Sequence, residues 1–492
     1  MQESNDYSVS QNNGGAKTES PEARPNGSSG TAQPSEEAPV LPPAALRGNG
    51  DDLLAHGESE TDSLHSGGPV AQIATAGVDL SGVTPISELI RWANGRIVTS
   101  RLAPYENKSV IHANSTGKTL NGPSYRVPPM SPGVYRSLVL PTAPKLFGSA
   151  RQLFSAIAEL LEKHVPLPKP ERSLVSYWAM ATWFADVLQL CPTLVVTGSG
   201  SAANLLLRTL VAVCRRPLLL ADATAATLRA LPLGELLPTL LMRSPQLSKQ
   251  MIALLDDSTH PGYLVSSGKD FQQFYCPKCI YVGEDATSHL KSSNSIRIHV
   301  GGSITRSFSA PPTGDVITDF QDRLLAYRFL GRNKVISSNF HVSGFRPETS
   351  AIAEALGAAI VDDPEWQNGV TLLLKAHDEQ SRVEHSSGTN GIVLRALLFH
   401  CHESNGEHVF VREIADTANR ISSDDGESGK LSSEKVGHVL RNLGLYTRRL
   451  GSGGRGLVID KQTQMRTHRL SHAYDVPKTE PACILCHPPK AE

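Results

Sequence analysis

Apolar residues recur three and four positions apart in "SARQLFSAIAELLEKHV" (149–165) and again in "SLVSYWAMATWFADVLQL" (173–190). That spacing lines one face of a helix, so both stretches are predicted to be amphipathic helices. Downstream the pattern changes to short apolar runs closed by turn residues: "PTLVVTG" (192–198), "RRPLLLAD" (215–222), "LPTLLMRS" (237–244), "FYCPKCIYVG" (274–283) and "SIRIHVGG" (295–302). Runs of this kind read as strands, with "TLVVT", "PLLLA" and "TLLMR" buried. They alternate with helical segments, which predicts an α/β fold: a parallel sheet with flanking crossover helices. From Ile317 to about Gln380 the period is mainly helical.

Near the C-terminus the elements shorten. "GIVLRALLFHCHE" reads as a helix, "HVFVREIADTANRI" as a short strand and a second helix, and "LSSEKVGHVLRNLG" as a third. The third has Ser432-Ser433-Glu434 as its capping region and ends on Gly444. "LYTRRLGSGGRGLVID" adds two short strands around a Gly-Ser turn. Helix, strand, helix, helix and hairpin in that order predict a winged helix-turn-helix.

The ends differ in kind. Residues 1–82 are rich in Ser, Gly, Pro, Glu and Asn and poor in aromatics. Such a segment cannot bury enough apolar surface to offset its ordering entropy, so a disordered acidic tail is expected. Order is expected to begin near "VTPISELIRWA". The predicted organisation is then an irregular linker at 83–145, an α/β core at 146–330, a helical connector at 331–384, the winged helix at 385–476 and a tail at 477–492.

Composition narrows the function classes. The chain has 492 residues, 39% of them hydrophobic, enough for two or three packed domains. Its net charge of −1 hides an asymmetry: residues 1–68 hold eleven Asp/Glu against three Lys/Arg, so the remainder is net basic. The first ten residues show neither the basic start nor the apolar core of a signal peptide. The most apolar region, Leu194–Leu220, is broken by Arg208, Arg215 and Arg216, which argues against a membrane span. Seven cysteines in so long a chain do not make a disulfide framework. A cytoplasmic protein with no membrane partner is expected.

"VVTGSGSAANLLLRTL" (195–210) has the strand, Gly/Ser turn and helix of a phosphate-cradling loop. Such loops read G-x-x-x-x-G-K-[ST]. With Gly198 as the first glycine, Ala203, Asn204 and Leu205 occupy the last three positions, so the Lys and the hydroxyl are both missing. Gly198, Gly200, Ala203 and Asn204 are what remains of the loop. The acids that hold magnesium at the end of a following strand are replaced by Arg243 and Ser244. Neither ATP nor magnesium is expected as a cofactor, and no catalytic residue is assigned. The plainer alternative is a tight strand-to-helix turn. Ser199, flanked directly by glycines, does not make a G-x-S-x-G elbow, and Glu284-Asp285 is a loose acidic pair.

"PTLVVTGSGSAANLLLRTLVAVCRRPLLL", "LPTLLMRSPQLSKQ", "LLDDSTHPGYLV" and "CPKCIYVGEDATSHLKSSNSIRIHV" together resemble the helicase-like ATPase domains of bacterial phage- and plasmid-type primase–helicase proteins. The stretch from "ALLFHCHE" to "AYDV" is similar to their winged-helix ending, and the resemblance spans roughly 146–476. It implies a P-loop-type core and a nucleic-acid context. The family's nucleotide-driven unwinding does not carry over, because Ala203, Asn204, Arg243 and Ser244 depart from its motifs.

The third C-terminal helix would lie in a DNA major groove. Lys435, His438, Arg441 and Asn442 can share its outer face with Ser433 at its start, while Val436, Val439, Leu440 and Leu443 face inward. Arg448, Arg449 and Arg455 would reach phosphates from the hairpin. From Lys430 to Val476 there are nine Lys/Arg against three Asp/Glu, the electrostatic footprint of DNA binding. Two sets of candidate zinc ligands compete: His468, His472, Cys483 and Cys486, or Cys276 and Cys279 with Cys483 and Cys486. The expected function is DNA binding by a catalytically degenerate relative of a replication or mobile-element helicase-type ATPase, in a regulatory or accessory role. An active NTPase with an atypical site and a protein-interaction scaffold remain the alternatives, and a homo-oligomer stays open.

Overall fold

In the computed structural model the described residues are 71–73, 86–91, 97–105, 108–114 and, from 127 onward, all but 257, 268–269, 284–293, 302–309, 404–407, 427–428, 478–479, 482 and 488–492. The expected acidic tail therefore lies outside the described residues except for Ala71–Ile73, and Glu284-Asp285 lies outside them too.

An antiparallel sheet stands where an irregular linker was expected. β1 (Ala71–Ile73), β2 (Ile86–Arg91), β3 (Ile97–Tyr105) and β4 (Lys108–Asn114) pair in the order β1-β4-β3-β2. Its strands mix charged and apolar residues and include Pro104, so no clean alternation marks them in the sequence. Leu89, Ile90 and Ile97 are all buried, Ile90 in one core of the following domain and Leu89 and Ile97 in the other.

The chain then forms α1 (Pro132–Ser137), α2 (Ala150–His164), α3 (Lys169–Thr182), β5 (Thr193–Gly198) and α4 (Gly200–Val213). β6 (Pro217–Ala221), α5 (Ala225–Arg229), α6 (Leu233–Leu236), β7 (Thr239–Arg243) and α7 (Lys249–Asp256) follow. After a β8–β9 hairpin (Leu264–Ser267, Asp270–Gln273) come β10 (Lys278–Tyr281) and β11 (Ser295–Val300). Five strands form one parallel sheet in the order β11-β5-β10-β7-β6. Period-two alternation splits its side chains between two cores. Leu194, Val196, Leu241, Cys279 and Tyr281 face one; Val195, Leu240, Met242 and Ile280 face the other. β6 lies at the sheet edge, so Leu219 is 43% exposed and "PLLLA" is only partly buried.

The helices after the sheet are core, not connector. α8 (Gly314–Ile336), α9 (Pro347–Ala358) and α10 (Pro364–Ser387) contribute Leu324, Tyr327, Ile352, Leu356, Val370 and Leu374 to the same cluster as α2, α3 and α4. The helical period at 331–384 is legible in the sequence; the surface it packs on is not.

A buried charge cluster joins the small sheet to this core. Glu88 on β2 is held by Arg215, Arg216 and Arg328, with Arg215 Nη2 at 2.8 Å and Arg328 Nε at 2.8 Å. Arg328 also grips Asp186 at 2.7 Å. Burial pushes the Glu88 carboxyl up, but the three guanidiniums outweigh it and hold it at about 2.

Only Gly388 separates α10 from α11 (Thr389–Glu403), which opens the C-terminal unit. β12 (His408–Phe410), α12 (Val411–Asp424), α13 (Ser433–Asn442), β13 (Arg448–Arg449), β14 (Arg455–Val458) and α14 (Lys461–Ala473) follow. β12, β14 and β13 make a three-stranded antiparallel sheet. Val436, Val439, Leu440 and Leu443 of α13 are buried in one cluster with α11 and α12. Gly444 ends α13 at φ +70°, and Arg466 of α14 donates to the Leu443 carbonyl at 3.4 Å. Asp475, beyond α14, is clamped by Arg382 (2.9 Å) and Arg346 (3.4 Å), which ties this unit to α10 and to the start of α9.

Candidate functional site

The crossovers leaving β5 and β10 run to opposite edges of the sheet, one toward β6 and the other to β11. In open parallel sheets, ligands seat at the carboxyl ends of such a strand pair. That point is the Gly/Ser turn. β5 ends at Gly198 and α4 begins at Gly200, so Ser199 alone forms the connection. Gly198 is at φ +96°, and a Cβ there would sit 2.2 Å from the Val300 carbonyl oxygen. The Ser199 amide donates to that carbonyl at 2.8 Å, and the Tyr281 hydroxyl donates to the Gly198 carbonyl at 3.2 Å. The tyrosine therefore lies against the turn. Ala203 is buried in the core, while Asn204 is exposed at the start of the second turn of α4. Arg243 is exposed at the end of β7, with Nη2 3.9 Å from where a Cβ on Gly200 would lie. Ser244 is buried, and its amide donates to the Tyr281 carbonyl at 3.0 Å.

The C-terminal unit presents a second candidate site. Ser432 caps α13 by accepting from the Lys435 amide, which places Ser433 on the first helical turn. Ser433, Lys435, His438, Arg441, Asn442, Arg448, Arg449 and Arg455 are all exposed. Ser433, His438, Arg441 and Arg455 line one cleft of about 430 Å³ between α13 and the β13–β14 hairpin, closed below by Phe410 and Val411. Glu434 shares its wall. Arg455 is anchored to Thr447, donating to its carbonyl at 2.9 Å and to its hydroxyl at 3.2 Å, so it also shapes the hairpin. Lys435, Asn442, Arg448 and Arg449 stand outside the cleft lining.

The third candidate is a cluster of His402, His468, Cys483 and Cys486, whose donor atoms all lie within 4.8 Å of one another. His468 belongs to α14 and His402 to the last turn of α11. This corrects the ligand set expected from sequence. His472 is exposed, with its Nε2 3.4 Å from the Leu485 carbonyl, and takes no part. The rival pairing through Cys276 and Cys279 is also overturned: both are fully buried in the sheet region, in cores on opposite faces.

No protein-family model matches the chain, and no match is found among curated proteins. Among solved structures it is similar to a full-length MCM homolog from Methanopyrus kandleri, at 10% identity over 57% of this chain and 68% of that one, with a TM-score of 0.32. A second similarity is to the NrS-1 C terminal region, at 11% identity over 76% and 96%, TM-score 0.29. A third is to Drosophila ORC bound to DNA, at 12% identity over 64% and 91%, TM-score 0.18. At these scores the matches are of partial outline and assign no function. Among the described residues no helix is long and apolar enough to cross a membrane.

Two site residues escape sequence reasoning. His402 lies 66 positions before His468, too far for a spacing rule, and its only signal is the clustered "HCH" ending of α11. Tyr281 reads as an ordinary strand aromatic until the strand order puts its hydroxyl on the turn.

Proposed function

We propose that this chain is a DNA-binding protein: its C-terminal unit is a winged helix that docks α13 in the major groove, and its P-loop-like sheet is a frame without nucleotide hydrolysis. The observation that carries the reading is the cleft between α13 and the hairpin, where Ser433, His438, Arg441 and Arg455 converge from two elements. A helix flanked by a basic hairpin can place side chains at base edges and at phosphates together. Ser433 and Lys435, near the helix start, and Arg441 and Asn442, farther along it, are the base-edge candidates. Arg448, Arg449 and Arg455 act on phosphates.

Absence of hydrolysis is supported by the turn itself. One connecting residue is too short to wrap a triphosphate, and the Ser199 amide is already engaged by Val300. Arg243 puts a cation where a magnesium-binding acid would stand, and it repels the ion. A regulatory or accessory role beside a replication-type helicase fits the nucleic-acid context that the sequence resemblance implies.

The test is a salt series of duplex-DNA binding by the full chain, read by fluorescence anisotropy. The log affinity should fall with log salt at a slope near −0.9 per phosphate neutralised. Alanine at Arg448, Arg449 and Arg455 together should flatten that slope by two to three, on the order of one per lost contact. A triple variant with unchanged affinity and slope would overturn the reading in favour of a protein-interaction role.

A further inference from the structure

We propose that His402, His468, Cys483 and Cys486 bind one zinc(II) ion, which fastens the chain beyond α14 onto the C-terminal unit. The proposal is independent of whether the unit binds DNA.

Two imidazole nitrogens and two sulfurs converge within 4.8 Å of one another. His468 Nδ1 lies 2.7 Å from the Gln464 carbonyl, an acceptor only, so Nδ1 carries the proton and donates it. In the neutral ring Nε2 then keeps a single in-plane lone pair. Two groups compete for that pair: His402 Nε2 at 3.0 Å and Cys483 Sγ at 3.3 Å. Cys486 Sγ lies 3.4 Å from the same His402 nitrogen. On neutral groups the three contacts can be met only by sharing, with two donors on the one His468 lone pair and the His402 proton divided between nitrogen and sulfur. A dication displaces the two thiol protons to solvent and takes one lone pair from each of the four atoms.

Three of the six donor separations are close to those of a zinc shell, and all six are within 4.8 Å. Zinc bonds of about 2.0–2.1 Å to nitrogen and 2.3 Å to sulfur give tetrahedral edges of about 3.4–3.8 Å. The observed 3.0, 3.3 and 3.4 Å separations lie a few tenths of an ångström inside those edges. The bond from His468 Nδ1 to a backbone carbonyl is the outer contact that orients a zinc-bound imidazole. Cys483 and Cys486 sit on one tight turn, with the Cys486 amide donating to the Cys483 carbonyl at 3.1 Å. Cys486 and His468 are buried, and Cys483 and His402 half-buried, so the site is shielded but reachable.

Two thiolates and two imidazoles complete a tetrahedral shell. No position is left for water or substrate, so the ion is structural. It bridges α11, α14 and the turn at 483–486. α14 in turn supports the end of α13 through Arg466.

The full chain, purified under reducing conditions without chelator, should contain about one zinc per molecule by elemental mass spectrometry. Stripped protein titrated with cobalt(II) should develop the visible bands of a tetrahedral site and a thiolate charge-transfer band, both abolished by zinc. Zinc should also shield Cys483 and Cys486 from alkylation, read by peptide mass spectrometry. His402→Ala, His468→Ala, Cys483→Ser and Cys486→Ser should each weaken metal binding by about 100-fold or more, while His472→Ala and Cys276→Ser leave it unchanged. Circular dichroism checks that each variant is folded, and the wild-type cobalt titration decides the matter if one is not. Far less than one zinc together with no cobalt spectrum in wild-type protein overturns the proposal. So does metal binding lost in His472→Ala but kept in His402→Ala.

Discussion

The turn after β5 and the face of α13 are both announced by ordinary sequence signals, a Gly/Ser stretch and a run of basic residues, yet they end in opposite states. At the turn the polar groups answer one another: the Ser199 amide meets Val300, the Gly198 carbonyl meets Tyr281, and the Ser244 amide meets the Tyr281 backbone. On α13 and its hairpin all eight candidate side chains are exposed to solvent. A polar stretch becomes a binding surface only if the fold leaves its donors open. The signal is local, but the occupancy of the donors is set by distant strands, in this case β10 and β11.

That contrast divides the expected effects of substitution. Changes in the sheet region should appear in stability and not in DNA affinity, and changes on α13 and the hairpin the reverse. The largest effect belongs to Glu88. Glu88→Ala leaves three guanidiniums around an empty place and should destabilise the chain by about 3–5 kcal/mol in urea unfolding. The pH dependence follows from the carboxyl being held at about 2, below its ordinary 4.5. A depressed folded-state pKa gives stability that is complete above pH 4.5 and is lost as pH falls from there toward 2. Glu88→Gln should therefore be less stable at neutral pH and show a shallower acid decline than wild type over that window.

Next in size is Gly198→Ala, which sets a Cβ against the Val300 carbonyl at a positive φ. It should cost about 2–3 kcal/mol and leave the DNA affinity of the folded protein unchanged. A loss of DNA binding in that variant at conditions where it remains folded would break the division between the regions. Arg449→Ala should do the opposite: about tenfold weaker binding at low salt, a slope reduced by about one, and an unaltered melting temperature. The smallest effect is at Asn204. Asn204→Lys restores the charge of a phosphate loop but not its length, and magnesium-dependent ATP hydrolysis should stay at background. Turnover in that variant, or in wild type, would show that the turn opens.

The parallel sheet was readable because buried strands of this kind are short apolar runs bounded by turn residues. Each of the five runs contains a strand. The inward face of α13 was readable for the same reason: Val436, Val439 and Leu440 repeat with helical period, and all three are buried. What could not be read were relationships between distant segments. The 83–145 region carries charges in its strands, and Glu88 is buried only because arginines from two other elements meet it. Residues 331–384 show a helical period without showing which surface they cover. In the cysteine–histidine cluster, the i and i+4 spacing of His468 and His472 suggested a shared face, but the packing of α14 turns only His468 inward, toward α11 and His402.

The quartet of Glu88, Arg215, Arg216 and Arg328 also bears on ancestry. Because losing any one member strands buried charge, divergent copies of this chain should keep all four or replace them as a set. Kinship between this chain and its divergent copies is then better traced through one acid on an N-terminal strand and three arginines, two of them adjacent, than through the Gly/Ser turn.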